Sequence, residues 1–433
     1  MNLEKLYYTI EKNKPSMLET LKELIAIKSI STITSDSIYP YGKPCAEALE
    51  LMLGSAKNIG FHVTNYEYHV GTADFDNSLG KPDLGILCHL DVVPASPENW
   101  SQDPFEMKIS NECIYGRGAI DNKGPAVAAL YAMKAIKESD IKLKKNVRFL
   151  FGCDEENGSS DIVYYLTKDK MPPMVFTPDG SYPIINIEKG MIRFKFSKKS
   201  DGTISYMNAG TVPNAVPSTA KAVFADDHCE YYKGIEAHAS TPDLGDNAIT
   251  GLMNIIAKNN DSCTDAKAIA KLFPHGSTNG EGLGINCQDE ESGQLTCVLS
   301  MMSIENGIVT CTGDIRYPAN TTKENIIENI TKKLAEYGFE TEILIASDVH
   351  KTSANSEFVQ TLLSVYEEET GEKGSCIAIG GGTYVHDIDG GVAFGAEMPN
   401  YQYNMHGCNE HYPIEHMMST VRMIASAIVR ICG

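Results

Sequence analysis

Leu84-Gly85-Ile86-Leu87-Cys88-His89-Leu90-Asp91-Val92-Val93 is a compact apolar run interrupted only by one histidine and one aspartate. A run of this length without helical spacing fits a strand covered on both sides, the kind found inside a parallel sheet. Val147 to Gly152 and Met174 to Phe176 read the same way. Helical patterns alternate with them. Leu18, Leu21 and Ile25 precede the first strand, and a second helix opens at Pro125, which suits a first helical position, and continues through Val127, Leu130 and Tyr131. Strands alternating with helices predict an α/β domain with a mixed, largely parallel sheet and helices on both faces, whose ligand crevice lies at the carboxyl ends of the strands.

The pattern changes from Met191 to Ser347. An alternating strand (Ile192, Phe194, Phe196) is followed by a helix after Asn247, two strands meeting at Glu305-Asn306-Gly307, a helix through Ile326, Ile330 and Leu334, and a strand near Thr341 to Ile345. Asn-Gly between two strands is the strongest short hairpin signal. This βαββαβ order predicts an inserted α+β, ferredoxin-like lid domain over residues 191–347. The α/β pattern then resumes with Phe358, Leu362 and Tyr366, the strand Ile377 to Gly382, and a last helix carrying Ile414, Met417, Met418, Val421, Ile424 and Ile428 on one stripe. Residues 1–190 and 348–433 therefore form one discontinuous domain.

A chain of 433 residues exceeds what a single core usually supports, in agreement with two domains. Lys and Arg number 37 against 57 Asp and Glu, a formal charge of −20 that repels phosphate backbones and anionic lipid. Neither nucleic acid nor a membrane is an expected partner. The 12 cysteines are scattered singly from Cys45 to Cys432 with no C-x-x-C pair, which reads as reduced thiols of a cytoplasmic protein. Met1-Asn2-Leu3-Glu4-Lys5 shows no basic start leading into an apolar run, so no secretory leader is read there.

The residues that carry chemistry follow the strand ends. His89 closes its strand, and Asp91, two residues on, shares its face and can orient the imidazole as partners of metal ligands do. Asp121 lies in the glycine-rich turn Gly116-Arg117-Gly118-Ala119-Ile120-Asp121-Asn122-Lys123-Gly124 before a helix. Glycines there also suit a phosphate, but no G-x-x-x-x-G-K-[ST] is present. Asp154-Glu155-Glu156 follows a strand, where adjacent side chains diverge, so that one can bind metal while its neighbour holds a water. Three acids in a row are otherwise a solvated edge. Asp179 ends the next strand, and His406 comes in the segment that resumes the sheet. Two histidines and three carboxylates around one sheet suit a pair of divalent ions, zinc first, with manganese or cobalt as alternatives.

Together these segments resemble the co-catalytic zinc peptidases of the aminoacylase and carboxypeptidase type, in wording nearest to bacterial dipeptidases, over nearly the whole chain. The resemblance runs through His89-Leu90-Asp91-Val92-Val93-Pro94, Trp100 with Asp103-Pro104-Phe105, Tyr115-Gly116-Arg117-Gly118 and Asp121-Asn122-Lys123-Gly124-Pro125. It continues in Asp154-Glu155-Glu156, Gly380-Gly381-Gly382-Thr383-Tyr384, Ala393-Phe394-Gly395 and His406 with Glu410.

The resemblance implies that Asp121 bridges two metals, that His89 and Asp179 complete one, and that Glu156 and His406 complete the other. It further implies a cis peptide after Asp121, Asp91 as orienting group, and Glu155 as general base toward a metal-bridging hydroxide. Asn122 stands where relatives often have a second aspartate. In the lid, His238 within Ala237-His238-Ala239-Ser240-Thr241-Pro242 is implied at the oxyanion, Asn214 within Thr211-Val212-Pro213-Asn214 at the substrate, and Arg316 within Asp314-Ile315-Arg316-Tyr317-Pro318 at the terminal carboxylate. Gly382 and Thr383 would edge the pocket. The implied activity is a metal-dependent dipeptidase, a monomer ahead of a homodimer, with short peptides as substrates. An N-acyl amino-acid deacylase with the same two metals is the alternative.

Overall fold

A computed structural model describes residues 3–33 and 38–433. Met1 and Asn2, which open the stretch read for a leader, lie outside the described residues. The chain divides into two compact units, Met1–Asn186 with Thr352–Ile377 and Thr383–Gly433, and Ile187–Lys351 with Ala378–Gly382. No helix among the described residues is long and apolar enough to cross a membrane.

The first unit is built on a mixed sheet in the order His62–Tyr66, Val70–Asp74, Asn146–Gly152, Pro82–His89, Met174–Thr177, Gly391–Ala393 and Ile184–Glu188. Its centre is parallel: Leu84 pairs with Val147 and Met174, and Val392 with Phe176. Its flanks are antiparallel, as where Val70 pairs with Gly152 and Tyr66. Parallel pairing is thus confined to the four central strands, whose residues are apolar on both faces. Ile86, Cys88, Phe149 and Phe151 pack into the large core with the helices Leu3–Ile25, Lys123–Glu138 and Ile414–Cys432. Leu87, Leu150 and Val175, one step out of phase, pack on the other side with Ile162, Tyr165 and Val385. The period of two along each strand therefore covers the sheet twice. The helix read from Pro125 begins two residues earlier, at Lys123, so Pro125 sits within a first turn whose N–H groups have no helical partner in any case.

The second unit is an antiparallel sheet in the order Cys229–Lys233, Thr219–Phe224, Ile204–Ala209, Thr296–Glu305, Ile308–Tyr317, Gly190–Lys199 and Glu340–Ser347. Its core joins Ile192, Phe194 and Phe196 to the helices Ala248–Asn259, Thr264–Leu272 and Lys323–Ala335. Asn306 and Gly307 turn the central hairpin with φ of 52° and 74°, the left-handed conformation that such a turn requires. Three strands between Ile204 and Lys233 extend the sheet beyond those read from the sequence. Ala209, Ala220 and Ala222 fill buried positions there, and alanine carries little strand signal.

Candidate metal centre

Because the central strands of the first unit run parallel, their carboxyl ends open on one edge, and the residues that follow them meet there. His89 is the last residue of Pro82–His89 and is fully buried. Its Nδ1 lies 3.0 Å from the Asp91 carbonyl oxygen. A carbonyl only accepts, so Nδ1 carries the hydrogen and Nε2 of the neutral ring presents a lone pair. That lone pair faces Asp121 Oδ1 at 2.9 Å and Asp179 Oδ2 at 3.6 Å. Acceptors facing acceptors require a positive species among them. Burial opposes charge on His89, yet Asp179 and Asp121 hold its pKa well above the ordinary imidazole range.

Asp121 is held by its main chain. The Glu410 carboxylate, itself buried, accepts the N–H groups of Gly118, Ile120 and Asp121 at 3.2, 3.0 and 3.3 Å and that of Arg117 Nη1 at 2.5 Å. The Asp121–Asn122 peptide is cis. Asn122 Nδ2 donates to the Pro178 carbonyl at 2.9 Å and to Asp179 Oδ1 at 3.0 Å, so the amide at this position turns the other oxygen of Asp179 toward His89.

The second oxygen of Asp121 serves a different group. Asp121 Oδ2 lies 2.8 Å from His406 Nε2, which is 3.3 Å from Glu156 Oε2. Hydrogen bonds to Asp121 and Glu156 push His406 up to about 10. Glu156 Oε1 is buried without a hydrogen-bond partner. One ligand atom from each of His89, Asp121 and Asp179 lies within 4.8 Å of the others, as do those of Asp121, Glu156 and His406. The residues fit two divalent cations: nitrogen and oxygen donors only, an orphaned carboxylate oxygen, and a histidine lone pair surrounded by acceptors.

Glu155 belongs to neither set. Its N–H donates to Asp91 Oδ1 at 3.2 Å and that of Glu156 to Asp91 Oδ2 at 3.1 Å. Burial, then Asp179, pushes the Glu155 carboxyl well above the usual carboxylate range. Asp91 meets His89 Nδ1 twice, with its main-chain carbonyl at 3.0 Å and its carboxylate at 3.4 Å, and the carboxylate also fixes the turn that carries Glu155 and Glu156. A second acid does similar work unseen in the sequence: Asp161 accepts the N–H groups of Cys153 and Asp154 at 2.6 and 3.0 Å and the Tyr384 hydroxyl at 2.6 Å. Thr383, just before that tyrosine, is buried in the first unit.

The second unit gathers the other expected residues. Ala215 pairs with His238, and Ala239 donates to the Asn214 carbonyl at 2.9 Å, so Asn214 and His238 flank one short ladder. His238 Nδ1 accepts the Ser240 N–H at 3.2 Å and lies 2.7 Å from its hydroxyl. An N–H only donates, so in the neutral ring Nε2 carries the hydrogen. Burial, then the Arg316 charge, holds His238 below its ordinary value. Arg316 donates from Nε and Nη2 to Asp314 at 2.7 and 3.3 Å and from Nη1 to the Gly380 carbonyl at 2.7 Å. One N–H on each terminal nitrogen is left over. Gly380 approaches Ser240 so closely that a Cβ would meet the serine Cβ at 2.7 Å, which ties the glycine run ending at exposed Gly382 to the His238 segment.

The pattern of peptidase family M20/M25/M40 matches residues 85–430. The Beta-Ala-Xaa dipeptidase of Lactobacillus delbrueckii subsp. lactis is 34% identical over 96% of each chain. Human carnosine dipeptidase 1 shares the fold with a TM-score of 0.67 at 15% identity, over 100% of this chain and 99% of that one. Bacillus subtilis YXEP, described as a dinuclear metal binding peptidase, does so with a TM-score of 0.56 at 11% identity, over 98% and 99% of the two chains.

Proposed function

The chain belongs to peptidase family M20/M25/M40, and from that premise we propose that it hydrolyses the peptide bond of short peptides, dipeptides foremost. The observation that supports this reading is the division of Asp121, one oxygen toward His89 and the other toward His406, with Glu155 beside both sets and in neither. His89 and Asp179 would hold one cation, Glu156 and His406 the other, and Asp121 both. Bound there, two divalent ions, zinc in the first instance, supply polarisation of the scissile carbonyl and acidification of the attacking water.

Glu155 takes the proton of that water as its oxygen bonds to the carbonyl carbon, and returns it to the departing nitrogen as the C–N bond breaks. Asp91 keeps Glu155 and Glu156 in place through their main-chain N–H groups. His238 offers its Nε2–H to the carbonyl oxygen, and Arg316 offers its two remaining N–H groups to the terminal carboxylate. Asn214, Gly382 and Thr383 are assigned to the walls of the substrate site.

The test is metal analysis of the purified protein together with hydrolysis of dipeptides, tripeptides and N-acyl amino acids, with and without chelator. Cleavage of dipeptides that chelator abolishes and metal restores is the expected result. Cleavage of N-acyl amino acids alone would replace this reading with that of a deacylase.

A further inference from the structure

One carboxylate beside the metal centre has no part in the chemistry of water activation. Glu397 lies on the two-residue strand Ala396–Glu397, which pairs in parallel with Gly180–Ser181, the residues directly after Asp179. The register sets Glu397 opposite Ser181, and it is pinned at both ends: the Gly180 N–H donates to the Gly395 carbonyl at 2.8 Å and the Tyr182 N–H to the Glu397 carbonyl at 2.8 Å. The Ser181 side chain hydrogen-bonds the carboxylate, and the charges of Asp121, Asp179 and His406 all reach it. Glu397 therefore borders the same basin as the ligands, half-buried, yet it belongs to neither set of ligand atoms.

Its charge is not matched. Among the described residues no lysine, arginine or histidine forms an ion pair with Glu397. A carboxylate in such surroundings is costly unless a cation meets it. The cations of the metal centre answer to the three acids of their own sets and to Glu155, which leaves Glu397 facing an incoming ligand. A peptide with a free amino end carries one fixed cation, its ammonium. In an α-dipeptide that nitrogen is about 2.5 Å from the scissile carbonyl carbon, because only the α-carbon separates them. The group that receives it must therefore adjoin the metal ligands without being one of them.

We propose that Glu397 is a specificity residue that receives the free ammonium of the substrate's N-terminal residue, restricting the enzyme to peptides with an unblocked amino end. The inference rests on the peptidase reading above and adds to it the class of substrate.

The experiment compares wild type with Glu397→Gln on a dipeptide and on its N-acetylated counterpart, with metal content measured in parallel. The expected result is two bound metals in both proteins and a fall of about 10- to 100-fold in the ratio of kcat/KM for the free over the acetylated peptide. Equal losses on both peptides, or no loss on the free one, overturn the role of Glu397 while leaving the peptidase reading intact. Failure of the wild type to cleave any free dipeptide overturns both. Glu397→Asp guards against a folding defect, since it keeps the charge but withdraws it by one methylene. It should shift preference several-fold toward a β-amino-acyl dipeptide, whose amine stands one methylene farther out, and an unshifted preference counts against the proposal.

Discussion

The Asp91 carboxylate accepts the main-chain N–H of Glu155 at 3.2 Å, so an acid two residues from His89 fixes the turn that carries Glu155 and Glu156. Asp91→Ala leaves that N–H and the one of Glu156 without acceptors. Turnover is expected to fall about 10- to 100-fold, with weakened metal affinity, as for other partners of metal ligands. Asp91→Asn, which keeps one acceptor oxygen, should fall less. Steady-state kinetics with metal titration decides.

Glu155 is the group whose removal should separate chemistry from metal binding. Glu155→Gln is expected to lower kcat by about 100- to 10,000-fold while both ions remain bound. Full activity at full metal content would remove Glu155 from the mechanism.

His238 presents Nε2–H because Ser240 occupies Nδ1. His238→Ala is expected to cost about 100- to 1000-fold in kcat, the range for loss of a donor to a developing oxyanion. Ser240→Ala should lower the same parameter by a smaller factor, with KM little altered. An effect of either variant on KM alone would place the pair in ground-state binding.

Much of the centre is legible in the sequence for a reason of topology. Runs such as Leu84 to Cys88, Val147 to Gly152 and Met174 to Phe176 predict neighbouring parallel strands, and parallel strands release their next residues at one edge, so the order of residues alone groups His89, Glu156 and Asp179. His406 lacks such a signal. It lies in an irregular segment with φ of 59°, and only the family resemblance marks it. Whether Asp91 acts through its carbonyl or its carboxylate depends on the path of the backbone, which residue types do not report. The amide of Asn122 on Asp179 and the Glu410 cradle beneath Asp121 are hidden likewise, since both join segments far apart in the chain.

Asp161, outside both candidate ligand sets, is expected to make the fold sensitive to pH. Burial, then the charge of Asp91, raises its carboxyl from 3.8 to about 7, against its hydrogen bonds. A carboxyl raised in the folded state contributes stability that is complete below its unfolded value and is lost as pH climbs through the folded one. The stability of wild type relative to Asp161→Asn should therefore decline between pH 3.8 and about 7, by at most about 1.4 kcal/mol per pH unit. Urea denaturation of both proteins across that range measures it, and a difference that rises with pH would reverse the sign.

With Asp121 common to the two candidate ligand sets, the affinities of two ions bound there are expected to be coupled. Whatever factor the first ion applies to the affinity of the second, the second applies to the first, in either order of loading. A substitution that retunes one position for another metal, His406→Ala included, must therefore also register in a titration of the opposite position, and Asp121→Ala should abolish both. Exchange of one metal for another at this centre would then be a property of the pair.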